Sequence, residues 1–507
     1  MAFLLGFVFL VLSFLSSIYS SCIQFIPLFS IYVVDVFGVV FSFDLFSNNF
    51  LSVLFLVVSS VYFFGFFYVG ESKGFFFTLN TFVFFMCMLI LSNDFFFMLV
   101  GWDGLGVISL LLVLWYNNRT SQHAAMKTYL VNRLGDGFIL GGLVLIFFNN
   151  IYNFCSFSYI SLFIILGLMT KSAIFPFFSW LPDAMQAPTP VSALVHSSTL
   201  VTAGLYILFR HSSIIVYENI NFFLVLGVFT SLYGGFCAIS ESDPKKLIAF
   251  STVSQMGNMM VFICLENINL FFSYLLAHSC FKALLFITMG LGMLNSFHNQ
   301  DSRLIVMSNW NPLISIFFLV SIFTLMGLPI MIGFLMKECG SFSEISYFFN
   351  PLWLFFFHLN NQFTVFYSFR LISSIQNFRS SFSYSFYAYF LVYMPLFVGC
   401  FFLNDIFIFT SILFSHYQNM IYVILLLLSG YIGTFTNFNF SLLNFNIVTK
   451  SLNIVHNYSN ICLNIFERNF LFLNFGNYFI KFPFYGGLTW LKLGFFILVI
   501  LIFLLFV

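Results

Sequence analysis

The stretch LGLMTKSAIFPFFSW, residues 166–180, sets a lysine inside an apolar run and a proline five positions later. What that lysine means depends on the solvent around it, and the whole chain supplies the answer. Of 507 residues, 61% are hydrophobic and 7% charged, and the mean hydropathy is +1.04. Apolar runs long enough to cross a bilayer recur from one end to the other, the pattern of a polytopic membrane protein. Seventeen basic and sixteen acidic residues nearly cancel, which removes any electrostatic case for nucleic acid or an acidic partner. The first apolar run, 2–18, has no charged segment before it and equally apolar sequence after it, so it reads as a retained span and not as a signal peptide.

In lipid every backbone polar group must be satisfied internally, so the spans must be helices of ~20 residues. The pattern predicts an all-α chain of about 15 transmembrane helices. They fall near 2–19, an ambiguous 23–43, 49–69, 75–92, 95–116, 124–148, 158–175, 189–210, 220–240, 246–265, 269–294, 312–335, 350–372, 385–403, 405–414 running into 420–436, and 485–507. Short connections such as NNRTSQ (117–122), ESDPKK (241–246) and NQDSR (299–303) leave no room for a soluble domain. Residues 1–436 therefore read as one transmembrane domain, 437–483 as a lateral or interfacial segment or a plain loop, and 485–507 as a last span. Basic loop residues show no asymmetry that would fix an orientation. The 84 phenylalanines follow no period and read as compositional drift tolerated by lipid. Nine scattered cysteines form no CxxC pair, and no phosphate-binding glycine loop is present, which argues against redox metal chemistry and nucleotide binding in this chain.

The informative residues are the charges inside spans: Asp103, Arg133, Asp136, Lys171, Lys282, and Lys337 with Glu338. A charge at the bilayer centre costs roughly 2.5–3.5 kcal/mol on insertion scales, so each must be paired, face a wet cavity, or snorkel. Lys127 and Lys492, near helix ends, suit snorkelling. Lys171 lies deep in its span, and Pro176 and Pro182 interrupt the helix after it; such interruptions are tolerated where they line a water-filled cavity. A second interrupted, lysine-bearing segment, FTLMGLPIMIGFLMKECGSF (323–342), carries Gly327, Pro329 and Gly333 before Lys337. Two such helices point to inverted repeats with ion sites at mid-membrane. Between them lie His196 and His278, the latter sharing a helix face with Lys282 four residues on. Neutral imidazoles and amines can pass protons along water, although a single membrane histidine serves equally well as an interhelical hydrogen bond. Arg133 and Asp136, three apart, can neutralise each other in a functional or a purely structural pair.

The string KSAIFPFFSWLPDAMQAPTPVSALVHSSTLVTAG (171–204) strongly resembles the antiporter-like membrane subunits of respiratory complex I, NADH:ubiquinone oxidoreductase, and the largest of them above all. The resemblance continues through GWDGLGVIS (101–109), AAMKTYLVNRLGDG (124–137), DPKKLIAFSTVSQMG (243–257) and AHSCFKALLF (277–286), covering roughly 45–345. It implies a helical inverted-repeat fold with two broken helices, proton translocation across the mitochondrial inner membrane, and neighbouring complex I membrane subunits as partners. It implies no cofactor on this chain, with NADH, FMN, iron–sulfur clusters and ubiquinone handled by other subunits. By resemblance, Lys171 is the central pumping lysine with Asp103 as its carboxylate. Lys245 and His196 connect onward to His278 and Lys282, and Lys337 serves the outlet beside Glu338. At ~6 Å and an effective dielectric near 20, a carboxylate stabilises an ammonium by roughly 3 kcal/mol. The chain departs from the family pattern in having Asp103 where Glu is usual, Tyr274 where many relatives place histidine, and Glu338 where Asp is common. A subunit of a multisubunit cation/proton antiporter shares the 171–204 string and is the alternative; a membrane scaffold whose buried charges fix helix registers is the other.

Overall fold

A computed structural model describes residues 2–375, apart from 20–26, 35–36, 94, 153–156, 212–219, 266, 297–298, 303–304, 306–311, 329–330, 335, 338–339 and 341–350. The predicted spans from 385 onward, the segment 437–483, the last span 485–507, and Glu338 lie outside the described residues.

Helices α1 (Ala2–Tyr19), α2 (Leu45–Val69), α3 (Lys73–Leu91), α4 (Phe95–Val113), α5 (Arg119–Tyr152) and α6 (Phe157–Lys171) follow one another through short connections. A short α7 (Trp180–Asp183) leads to α8 (Thr189–Val191), which passes through a π-helical stretch, Ser192–Thr199, into α9 (Leu200–Arg210). Then come α10 (Ile220–Ser240), α11 (Pro244–Cys264), α12 (Ile268–Asn295), α13 (Pro312–Met326) and α14 (Pro351–Ile375). Seven of the described helical stretches are long and apolar enough to cross a bilayer, and three shorter apolar helices accompany them.

Two sequence expectations are corrected. The ambiguous run 23–43 holds a two-stranded antiparallel hairpin, Pro27–Val34 against Phe37–Ser42, in place of a helical span. Asp35 splits that apolar run, and its Val, Ile, Phe and Tyr residues suit a pleated ribbon as well as a helix. The span expected at 158–175 stops as a helix at Lys171.

Small residues decide how closely the helices around Lys171 approach. A Cβ on Gly135 of α5 would lie 1.9 Å from Thr170 Oγ1 and 2.9 Å from the Gly167 carbonyl of α6. A Cβ on Gly167 would lie 2.8 Å from the Gly135 carbonyl. The two backbones therefore touch with no side chain between them, as small residues allow in membranes. The residues that follow these contacts in each chain segment, Asp136 and Lys171, are brought to one level. Elsewhere the helix ends are tied by Arg210. Its guanidinium lies 3.1 Å from Asp44 Oδ2 at the start of α2 and donates to the Ile90 carbonyl near the end of α3 at 2.5 Å.

Replacing Gly135 with valine is expected to force α5 and α6 apart, at a cost of about 1–3 kcal/mol or more. The measurement is the amount of folded chain retained in mildly solubilised membranes, which should fall for Gly135→Val and stay near normal for Gly137→Val, where a Cβ meets nothing within 4 Å.

Candidate functional site

Lys171, the last residue of α6, is fully buried. Beyond it the backbone leaves the helix: Ala173 takes a left-handed conformation at φ 54°, and the Phe175–Pro176 peptide is cis. The carbonyl of Thr170, freed by the helix end, accepts the Trp180 indole N–H at 2.9 Å. The Lys171 ammonium donates to the Trp102 backbone carbonyl of α4 and stands 3.9 Å from the centroid of the Trp102 ring. On its other side Trp102 donates its Nε1–H to Asp136 Oδ1 at 2.7 Å. Asp136 Oδ2 lies 3.0 Å from Arg133 Nη1, which also reaches Asp103 Oδ1 at 3.3 Å.

The structure thus brings Asp103, Arg133, Asp136 and Lys171 into one cluster, with an order the sequence did not suggest. Asp103 pairs with Arg133, its side chain half exposed, while Trp102 stands between Asp136 and Lys171. Neighbours on a helix point about 100° apart. Residue 102 faces α6, so residue 103 turns toward the outer side of α5. Lys127, expected to snorkel, instead donates to Asp183 and so fastens α7 to α5. With a carboxylate supplied by the chain itself, its stem has no need of the headgroups.

His196 sits in the π-helical stretch, where the widened turn exposes carbonyls that hydroxyls then fill. Ser198 Oγ donates to Leu194 O at 3.0 Å, Thr199 Oγ1 to Leu194 O at 2.6 Å, and Thr202 Oγ1 to Ser198 O at 2.8 Å. Among the described residues neither ring nitrogen of His196 has a hydrogen-bond partner, although the ring is buried beside Trp180. Such π-turns occur often at functional sites. Lys245 enters the membrane at the second position of α11, where Asp243 occupies the N-cap position and Pro244 supplies a preset helical φ. Its ammonium donates to the Ala187 carbonyl at 3.3 Å. In the turn just before, outside the bilayer, burial pushes the Glu241 carboxyl above its usual range while Lys246 pulls it back.

On α12, His278 is buried against Phe281 with both ring nitrogens unpartnered among the described residues, and one turn on the Lys282 ammonium donates to Ser251 Oγ of α11 at 2.5 Å. Lys337 occupies the ending of α13. That helix stops at Met326, Gly327 turns at φ 78°, and the freed carbonyls of Leu325 and Met326 each accept from Lys337 Nζ at 2.9 Å. Thr364 Oγ1 of α14 accepts the third hydrogen bond at 2.7 Å. The negative end of a helix is a favourable seat for a cation. Around this seat, Tyr274 donates to Gln255, Gln255 reaches the Tyr367 hydroxyl at 3.5 Å, and Asn360 donates to Asn258 at 2.6 Å. The Asn361 side chain is buried with no partner among the described residues.

Lys171, His196, Lys245, His278, Lys282 and Lys337 are each at most 4% exposed. The five ion pairs among the described residues include none of them. Amines resting on carbonyls and hydroxyls, with imidazoles between them, can take up and give away protons singly. Sequence reasoning missed Trp102, Ser251, Gln255, Asn258, Asn360, Thr364 and Tyr367. Uncharged polar residues in a span carry no insertion penalty large enough to draw notice, and Trp102 looked like one more apolar residue. Its place next to Asp103 in GWDG was the available signal.

The chain matches the family described as NADH:quinone oxidoreductase/Mrp antiporter, TM, over residues 92–357. Among curated relatives, NADH-ubiquinone oxidoreductase chain 5 of Caenorhabditis elegans is 41% identical over 67% of this chain and 66% of its own length. The protein of that name from Locusta migratoria is 39% identical over 69% of this chain and 65% of its own length. That from Aedes aegypti is 36% identical over 83% of this chain and 76% of its own length. The match thus spans a little under two thirds of the nematode and locust relatives. Of solved structures, the Mrp complex from Dietzia sp. DQ12-45-1b superposes with a TM-score of 0.72 at 20% identity, covering 99% of this chain and 60% of that one. The membrane-bound sulfane sulfur reductase, an archaeal respiratory membrane complex, does so with 0.71 at 16% identity, covering 85% and 91%. These two share the fold. With the family match over half of the chain and a relative matched along three quarters of its length, the chain belongs to the NADH:quinone oxidoreductase/Mrp antiporter membrane family.

Proposed function

We propose that this chain is a proton-translocating membrane subunit of a complex I, working in the mitochondrial inner membrane. The observation that carries the reading is the series of buried amines and imidazoles, from Lys171 through His196, Lys245, His278 and Lys282 to Lys337, none in an ion pair among the described residues. A scaffold that merely fixes helix registers would pair its buried charges, because an unpaired one is costly in lipid. Relatives at 36–41% identity named NADH-ubiquinone oxidoreductase chain 5 favour complex I over a free-standing antiporter.

In this reading Lys171 holds a proton when the carboxylates of Asp136 and Asp103 act on it, and releases it when their influence is spent on Arg133. The proton then moves through water past His196 and Lys245 to His278 and Lys282. It leaves by way of Lys337, with Glu338 as the acidic neighbour. Each lysine already rests on neutral oxygen acceptors, so gaining or losing a proton breaks no ion pair. Oxidation of NADH and reduction of ubiquinone, with FMN and iron–sulfur clusters, are assigned to other subunits and supply the energy. The neighbours are other membrane subunits, including antiporter-like ones. One face of α4 and α5 supports this: the half-exposed Asp103–Arg133 pair lies among exposed Val100, Val107, Met126, Leu130 and Leu134. A charge pair on such a surface suits a protein neighbour better than hydrocarbon.

Replacing Lys171 with methionine is expected to leave the complex assembled and to slow proton transfer through this chain by ~100-fold or more, the scale of a lost proton-handling group. Proton translocation per electron, followed in sealed vesicles with NADH and quinone, measures it; an assembled variant pumping at the normal ratio would refute the reading. Lys337→Met is expected to behave the same way. Lys127→Met, which removes a paired lysine outside the series, should leave the ratio unchanged and lower only the amount assembled.

A further inference from the structure

We propose that Trp102 is a positioning residue for proton transfer at Lys171, the part through which the Asp136 carboxylate acts on the lysine. The inference rests on the proposed pumping role of Lys171. The side chain of Trp102 is completely buried and makes two contacts of different kinds on its two sides. Its N–H donates to Asp136 Oδ1 at 2.7 Å, and its ring lies under the Lys171 ammonium at 3.9 Å. Its own backbone carbonyl accepts from the same ammonium. The indole plane is therefore fixed from the carboxylate side, and the ammonium is seated by the plane.

Two physical effects follow. The face of an indole attracts a cation, and the attraction strengthens when water is excluded, so the ring favours one position of the protonated amine. A hydrogen bond to a carboxylate is directional and stronger than one between neutral groups, so the Asp136 bond holds the ring in that position. When Asp136, already paired with Arg133 through Oδ2, gives Oδ1 to it as well or takes a proton, the bond to the indole weakens and the ring is free to tilt. Lys171 then loses its seat although it is itself in no ion pair among the described residues. This also accounts for Asp103, the carboxylate next in sequence, pointing away from the lysine: the contact to α6 is made by its neighbour.

The test uses the intact complex in sealed vesicles, reading assembly, NADH–quinone electron transfer, and proton translocation per electron as a function of pH. Trp102→Phe keeps an aromatic face and removes the N–H. It is expected to assemble, to slow proton translocation relative to electron transfer by roughly tenfold, the worth of a hydrogen bond to a charged group, and to move the pH profile of the ratio. Trp102→Leu removes the face as well and should lose more. Asp136→Ala should lose at least as much as Trp102→Phe, and the double variant no more than Asp136→Ala alone, because both substitutions break the same bond. A normal ratio and pH profile in Trp102→Phe, or losses that multiply in the double variant, would overturn the proposal. If Trp102→Phe does not assemble, Asp136→Ala, which removes the same bond from its other end, takes its place. Failure of both to assemble would make Trp102 a packing residue and also overturn it. Lys171→Met run in parallel separates the two levels: if it stops pumping while Trp102→Phe does not, only the role of Trp102 falls.

Discussion

A protonated amine in a low-dielectric interior has to be solvated by something, and in this chain that something is mostly the backbone. Lys171 lies on the carbonyl of Trp102, Lys245 on that of Ala187, and Lys337 on those of Leu325 and Met326. A carbonyl inside a helix keeps a second lone pair, which the Trp102 carbonyl in the middle of α4 gives to Lys171, while a helix end frees carbonyls outright, as the end of α13 does for Lys337. The interruptions accompany the buried amines and imidazoles. Helix α6 stops at Lys171, α13 stops at Met326, and the stretch bearing His196 widens into a π-turn. The neutral acceptors have a second consequence. An ammonium bound to carbonyls can lose its proton and leave behind ordinary hydrogen-bond acceptors, whereas one bound to a carboxylate would leave a stranded anion.

Carboxylates enter at a distance. Arg133 draws both Asp103 and Asp136 to itself, and Asp136 keeps contact with Lys171 through the Trp102 indole. The close approach of α5 and α6 at Gly135 and Gly167 sets the level of that arrangement, because it fixes where Asp136 stands relative to the end of α6. Packing and electrostatics here are one problem. A larger residue at Gly135 would act on the site through the position of Asp136, with every charged side chain unchanged.

Much of this was legible in the sequence because charge in lipid is expensive and therefore conspicuous. Several helix spans could be read to within a few residues from hydropathy alone, as α2 and α10 through α12 illustrate, while those expected at 158–175 and 312–335 end early, at Lys171 and Met326. The charged residues of the site stood out for the same reason. Two kinds of information were hidden. One is local geometry with no energetic label in composition, as at 27–42, where Val, Ile and Phe suit a hairpin or a helix equally. The other is direction. Hydropathy says that residues 102 and 103 lie inside a span, but the 100° between them decides which meets Lys171, and that depends on how α4 is rotated against α6. The neutral polar residues around Lys337 were silent too, since Asn360, Gln255 and Thr364 in a span are individually unremarkable until α11 and α14 are seen to place them together.

The two ends of the amine series are built differently. At Lys171 the ammonium has a cation-binding ring beneath it, and that ring is hydrogen-bonded to a carboxylate that Arg133 also holds, so its surroundings depend on the state of Asp136 and Arg133. At Lys337 the described surroundings are three neutral oxygens, two of them freed by the end of α13. A change at the carboxylate cluster alters the seat of Lys171 and leaves the oxygens around Lys337 as they are, so in the proposed relay the Lys171 end is the one that carboxylate chemistry can regulate.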